Sequence, residues 1–311
     1  MLLFARTLAG YYVALALIIP GVTMADSKTN EVTVIAHRGA SKYAPENTLA
    51  AFELAYTMKA DYFELDCTLS KDGEVIVIHD DTLDRTTNIR GRVMNTASDV
   101  IGKADAGTWF DEKFAGEPVP TLGESLDMAK GKIGVYIEIK DSDRHDKELL
   151  DLLFVLGNKE GSLLPEAQDK VLRIIEEADT PNLELTRKVI QQVRDRGMEN
   201  EIIIQSFSPI VCAIACIEAP EMRTELLASS INDNPDQWPD YQTWAKLLKP
   251  KGFNCHKNLV TQELVDEFHE LGMTLAVWTV DGKREMQNLA AMGVDALITN
   301  RPDVCLEVLG R

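Results

Sequence analysis

The stretch VIAHRGASKYAPENTLAAFELAYTMKADYFELDCTLSKDGEVIVIHD, Val34 to Asp80, decides the fold. An apolar run from Val32 to Ala36 reads as a strand and ends at His37. Pro45 stops the segment that follows, Asn47 or Thr48 supplies a cap, and Leu49, Phe52 and Tyr56 recur at helical spacing. A second strand is predicted at Phe63 to Leu69 and a third at Val75 to Ile78, ending at His79. Only Lys71-Asp72-Gly73 separates these two, which suits a hairpin and leaves no room for a crossover helix.

Strand and helix patterns alternate outward from this stretch. Further strands are predicted at Val135 to Ile139, Ile202 to Ser206, Thr224 to Ala228, Gly252 to Cys255, Thr274 to Val280 and Ala296 to Thr299. Helical periodicity falls at Leu122 to Ala129, Leu185 to Arg196, Thr261 to Leu271 and Arg284 to Met292. The pattern predicts a parallel sheet or a closed (β/α)8 barrel in one domain, distorted at the hairpin. Nine strand candidates meet eight barrel places, so one is no strand or lies outside the ring. Asp81 to Pro120, rich in glycine, reads as a loop-rich insertion after the third strand. Asp141 to Thr180 is mostly polar, with a helical piece near Leu149 to Leu156 and a loop around Gly157 to Glu166.

The first residues have the pattern of an export signal. Met1 to Arg6 carries one positive charge, Leu8 to Val22 is apolar, and Thr23-Met24-Ala25 offers the small residues a signal peptidase reads. Pro20-Gly21 interrupts the run, which is short for a bilayer. Residues 1–25 are therefore read as a signal peptide, and the mature chain as periplasmic or secreted without stable membrane insertion. Removing 25 of 311 residues leaves 286, and the loss of Arg6 moves the net charge from −18 to −19. That acidity argues against nucleic acid or an anionic membrane surface as a partner. Cys67, Cys212, Cys216, Cys255 and Cys305 match no zinc or disulfide spacing and are read as buried free thiols.

Alternation along the strands points to chemistry. In Phe63-Glu64-Leu65-Asp66-Cys67-Thr68 a period of two sends Glu64, Asp66 and Thr68 to one face, and the same rule puts Glu138 with Lys140. In a barrel these faces point inward near the carboxyl ends of the strands, where active sites form. His37 and His79 close two strands and are expected at the same mouth. Three clustered carboxylates repel one another unless a cation neutralises them, and an all-oxygen donor set favours calcium or magnesium over zinc. With Arg38 and Lys140 beside it, such a site would hold a phosphate, and two imidazoles could supply a general base and a general acid. Which histidine does which stays open at this level.

His37-Arg38-Gly39, Pro45-Glu46-Asn47-Thr48, Glu64-Leu65-Asp66, Lys71-Asp72-Gly73, His79-Asp80 and Glu138-Ile139-Lys140 resemble the glycerophosphodiester phosphodiesterase family. Gln205-Ser206-Phe207, Val277-Trp278-Thr279-Val280 and Ile298-Thr299-Asn300-Arg301-Pro302 extend the resemblance over nearly the whole mature chain. It implies a TIM-type barrel with a small subdomain inserted after the third strand. It also implies hydrolysis of glycerophosphodiesters to glycerol 3-phosphate and an alcohol with calcium or magnesium. On that basis His37 and His79 match the acid/base pair, and Glu64, Asp66 and Glu138 the metal ligands. Arg38 and Lys140 match phosphate contacts, and Trp278 an aromatic lining the pocket.

Two other readings stand beside this one. A lipid-directed activity on the same barrel, lysophospholipase D or phosphoinositide cleavage, would favour an apolar or basic rim, and the sequence shows no basic cluster. A catalytically silent binding protein would be expected to have lost one of His37, His79, Glu64, Asp66 and Glu138, and all five are present. Weaker signals are His256 near the mouth, His145 and His269 as solvated side chains, and Trp238 and Trp244 as packing residues rather than a lid.

Overall fold

In the computed structural model, which describes residues 31–140, 146–165, 167–229 and 238–311, nine strands form one sheet. They are β1 (Thr33–Ala36), β2 (Tyr62–Leu69), β3 (Val75–Val77), β4 (Gly134–Ile139), β5 (Ile202–Ser206), β6 (Arg223–Ala228), β7 (Gly252–His256), β8 (Thr274–Trp278) and β9 (Ala296–Thr299). Parallel pairing runs from β1 through β9, β8, β7, β6, β5 and β4 to β2, and β2 pairs with β1 again, which closes a ring of eight. All nine predicted strands exist, and β3 is the one outside the ring. The signal-peptide residues 1–25 and His145 lie outside the described residues.

Helices connect the ring strands: α1 (Leu49–Thr57), α2 (Ser98–Ile101), α3 (Leu122–Ala129), α4 (Lys147–Glu160), α5 (Gln168–Ala178) and α6 (Pro181–Arg196), then α7 (Pro209–Glu218), α8 (Trp238–Leu248), α9 (Gln262–Glu270), α10 (Lys283–Ala291) and α11 (Pro302–Leu309). Thr48 caps α1 by accepting from the Ala51 amide, which satisfies a donor the helix itself cannot. The buried face of α1 is Ala51, Phe52 and Ala55, while Tyr56 is exposed, contrary to its place in the predicted apolar set. Phe52 stacks on Phe63 of β2 at 4.2 Å, both fully buried, a burial worth about 1.5–3 kcal/mol for each ring. No helix among the described residues is long and apolar enough to cross a membrane.

The hairpin forms as predicted, and it brings His79 to the mouth by a different route from His37. Gly73, at φ +80°, makes the turn with its amide donating to Ser70, a backbone conformation that favours glycine. β2 pairs with β4 up to Cys67, and from Cys67 to Leu69 it pairs with β3 in antiparallel register. β3 therefore runs back toward the ring. His79 does not share strand polarity with His37; it reaches the mouth from above, at the end of a returning strand. The Ile78 amide donates to the Asp66 carbonyl at 3.0 Å, which sets His79 close to the carboxylates.

The insertion is more ordered than its composition implies. Ile76, Ile78, Leu83, Val93, Ile101, Ala104, Ala106 and Val119 bury a small core of their own. The polar stretch after β4 also differs from its reading: α4 runs past the predicted piece to Glu160, and α5 occupies a segment where no helix was expected. Only Val171 and Ile175 of α5 are fully buried. Val171, Ile174 and Ile175 nevertheless recur at helical spacing, so the helix signal is present in the sequence and the polar composition of the stretch concealed it.

Candidate active site

Side-chain alternation builds the barrel interior in layers. Ile35, Tyr136, Ile203, Ala276, Ala296 and Ile298, with Tyr62 against them, form an inner apolar cluster from six of the eight ring strands. Two residues further toward the carboxyl ends, on the same strand faces, stand His37, Glu64, Glu138, Gln205, Trp278 and Asn300. A cavity of about 180 Å³ opens there, lined by His37, Arg38, Glu64, His79, Glu138, Lys140 and, on its other wall, Gln205, Phe207, Leu227 and Trp278. Glu225 of β6, outside this lining, is fully buried and paired with Arg223 at 2.5 Å. A Cβ at position 252 would lie 2.7 Å from the Glu225 carboxyl carbon, so β7 carries glycine there.

Glu64, Asp66 and Glu138 are buried, and each offers an oxygen within 4.8 Å of the other two. Cross-strand register explains this, because Asp66 of β2 sits directly opposite Glu138 of β4. Asn47, turned to φ +57°, donates its side-chain amide to Asp66 at 2.8 Å and accepts from the Asp66 backbone amide. Arg38, at φ +55°, points its backbone amide at Glu64 Oε2 (2.8 Å) and its guanidinium at Glu46 (2.9 Å) and Asp66 (3.2 Å). The turn continues through Gly39 at φ +80°, where a Cβ would lie 2.6 Å from that of Ala51. Lys140 bonds Glu138 at 2.7 Å and approaches Asp66 to 3.5 Å.

The charges are unevenly shared. Burial, with Asp66 and Glu138 beside it, pushes the Glu64 carboxyl well above the usual range, and burial also raises Glu138. Burial acts on Asp66 too, but Lys140 and Arg38 outweigh it and hold that group well below its ordinary value. Glu64 Oε1 is buried with no hydrogen-bond partner. An orphaned buried carboxylate oxygen among two like-charged neighbours is the donor set of a hard divalent cation. The residues fit such an ion.

The two histidines stand on different supports. His37 Nδ1 lies 2.7 Å from Asn300 Oδ1. Burial, and then the Arg38 guanidinium, lower its imidazole from 6.5 to about 4. His79 Nδ1 lies 2.7 Å from the Asp80 carboxylate. Arg85 of the insertion donates to both Asp80 oxygens (2.7 and 3.0 Å) and both Glu46 oxygens (2.9 and 2.8 Å). Its hydrogen bonds hold Asp80 down at about 2. One chain of contacts therefore runs from His79 through Asp80, Arg85 and Glu46 to Arg38.

The sequence profile of the glycerophosphoryl diester phosphodiesterase family matches residues 37–157 and 167–304. The chain belongs to this family. A glycerophosphodiester phosphodiesterase of Caldanaerobacter subterraneus is 34% identical over 279 residues, 89% of this chain and 97% of the relative. One from Bacillus subtilis is 31% identical over 96% of each chain. Among solved structures, an Oleispira antarctica phosphodiesterase in complex with the product sn-glycerol-3-phosphate superposes with TM-score 0.72 at 23% identity, covering 90% of this chain and 97% of that one. The Agrobacterium tumefaciens glycerophosphodiester phosphodiesterase gives 0.66 at 29% identity, over 89% and 99%.

Family members hydrolyse glycerophosphodiesters with a divalent metal, and this phosphodiesterase carries the acidic triad for one. Seven of the eight predicted site residues, His37, His79, Glu64, Glu138, Arg38, Lys140 and Trp278, line the one cavity, and Asp66 lies behind them against Glu138. The predicted set omitted Glu46, Asn47, Asp80, Arg85, Asp281 and Asn300. Four of these fall within the quoted motifs and Asp281 directly follows one, but Arg85 lies in what read as loop. His256 stands at the mouth edge-to-face with Trp278 at 5.2 Å, and His269 is paired with Asp295 at 2.8 Å on the surface. Trp244 is buried against Phe154 and is a packing residue; the side chain of Trp238 lies outside the described residues. None of the five cysteines forms a disulfide; four are buried and Cys216 is half-buried.

Proposed function

We propose that the enzyme hydrolyses deacylated phospholipids to sn-glycerol 3-phosphate and an alcohol, with His37 as general base and His79 as general acid. The observation that carries this reading is the pair of imidazoles facing one cavity above three buried carboxylates. Glu64, Asp66 and Glu138 would hold calcium or magnesium, which when bound supplies positive charge to the phosphate oxygens. Arg38 and Lys140 contact the phosphate, and Phe207 and Trp278 wall the organic part of the substrate. A cavity below the roughly 300–1,000 Å³ of drug-sized pockets suits a compact glycerophosphoryl group. The Oleispira antarctica neighbour, solved with sn-glycerol-3-phosphate, supports the same product class.

The two supports divide the proton work. A carboxylate behind Nδ1 supports positive charge on the ring more than a neutral amide oxygen does, and at His37 burial and Arg38 outweigh the bond to Asn300. His79, its Nδ1 anchored on Asp80, is assigned to deliver a proton; His37, kept neutral by burial and Arg38, is suited to remove one. His37 Nε2 takes the proton of the nucleophile, either water or the 2-hydroxyl of the glycerol. The new P–O bond forms as the bond to the alcohol breaks, and His79 protonates the departing oxygen. Where the 2-hydroxyl attacks, the product of that step is a cyclic phosphate. Water then opens it to glycerol 3-phosphate, with His79 taking the water's proton and His37 returning one to the 2-oxygen.

Incubation with glycerophosphocholine followed by ³¹P NMR tests the reaction: glycerol 3-phosphate and choline should appear in equal amounts. Release of phosphocholine, or turnover of lysophospholipid in preference, would replace this reading with another phosphodiesterase activity. Arg85→Ala should lower kcat about 10–100-fold with little change in KM, as losses behind a reacting histidine do, while Arg85→Lys keeps part of the activity. Parent-like kcat in Arg85→Ala would reduce the Asp80–Arg85–Glu46 chain to a structural tie.

Export is proposed from the leader pattern. Mass spectrometry of material released from the periplasm or medium should find a mature chain beginning near Asp26. An intact Met1 terminus on cytoplasmic protein would overturn it.

A further inference from the structure

Behind His37 lies a second row of groups that the reaction itself does not touch. Asp281, from the β8–α10 connection, accepts from the Asn300 backbone amide (2.9 Å), from Thr299 Oγ1 (3.1 Å) and from Asn300 Nδ2 (2.7 Å). Asn300 Oδ1 faces the other way, 2.7 Å from His37 Nδ1 and 2.8 Å from Ser41 Oγ. Ser41 Oγ is also 2.7 Å from the His37 carbonyl oxygen. A carboxylate has acceptors only, so the amide end of Asn300 must turn to Asp281 and its carbonyl end to His37. An amide oxygen has no proton to give. The hydrogen between Asn300 and His37 must therefore sit on Nδ1.

We infer that Asp281 and Asn300 are positioning residues that hold His37 in the Nδ1–H tautomer, leaving the Nε2 lone pair toward the cavity. This deepens the proposed role of His37 as base and rests on that reading for its effect on turnover. Asp281 does the orienting without contact to the imidazole. Deprived of it, the Asn300 amide can flip, present its NH₂ to Nδ1, and move the histidine proton to Nε2. The lone pair would then face away from the cavity. A histidine base caught in the wrong tautomer costs up to ~10⁴-fold in kcat.

The test is ¹⁵N NMR of histidine-labelled, magnesium-loaded enzyme at a pH where the imidazole is neutral, with the His37 signals identified by their loss in His37→Asn. Protonated and lone-pair ring nitrogens resonate in separate regions. The parent should show a protonated Nδ1 and a lone-pair Nε2 at His37. Asp281→Ala and Asn300→Ala should mix or reverse the two and lower kcat, while Asn300→Gln, with its longer arm, should not restore the parent spectrum. A protonated Nε2 in the parent, or a parent spectrum in folded Asp281→Ala, would overturn the inference. The predicted tautomer together with a fully active His37→Ala would instead leave the inference standing and remove the base role.

Discussion

His79→Ala should lose about 10²–10⁴-fold in kcat on glycerophosphocholine and regain most of it on a glycerophosphoryl aryl diester. An alkoxide leaves poorly without a proton, and a positioned general acid contributes a factor of that size. An aryloxide leaves without one. His37→Ala should fall by a similar factor on the choline ester and gain nothing from the aryl leaving group, because the missing step is removal of the nucleophile's proton. Neither imidazole is among the three carboxylate donors, so both variants should keep the fold and bind metal as the parent does. The double variant should lose much less than the product of the single losses, since groups that act as a unit are non-additive. Parent-like rates in both single variants would end the acid/base assignment, and rescue of His37→Ala alone would reverse it.

Exhaustive chelation should abolish turnover, and added calcium or magnesium should restore it. The physical case is the repulsion within the triad: Glu64 and Glu138 are both pushed upward by burial, with like-charged neighbours adding to it. Glu64→Gln separates metal binding from folding. Its side-chain oxygen can still accept the Arg38 amide, which lies 2.8 Å from Glu64 Oε2 in the parent, while one like charge disappears. In chelator the variant should therefore melt no lower than the parent. Metal binds only the folded chain and raises Tm by linkage, so the rise produced by calcium or magnesium should be large in the parent and small in Glu64→Gln. Full turnover with metal absence verified by elemental analysis would remove the cation from the reaction. An equal Tm rise in both proteins would place the ion elsewhere.

Short-range rules were enough for the strands and for the set of reacting groups. A period of two put Glu64 with Asp66 and Glu138 with Lys140, and a three-residue turn made the hairpin. Those signals survive in the chain because they depend on residues within one element. Several features of the site are not local. His79 arrives by a returning strand, so its height above Asp66 is set by the β2–β3 register. Asn300 meets His37 from 263 positions away. Arg85 reaches Asp80 across 5 positions and Glu46 across 39, from a segment whose composition reads as loop. The sequence by itself determined the alternating barrel, its hairpin and which side chains could do the chemistry. Only the tertiary structure decided the difference between the two histidines. That difference depends on whether a carboxylate or an amide oxygen lies behind each Nδ1, a matter of register and hydrogen-bond direction that leaves no period in the chain.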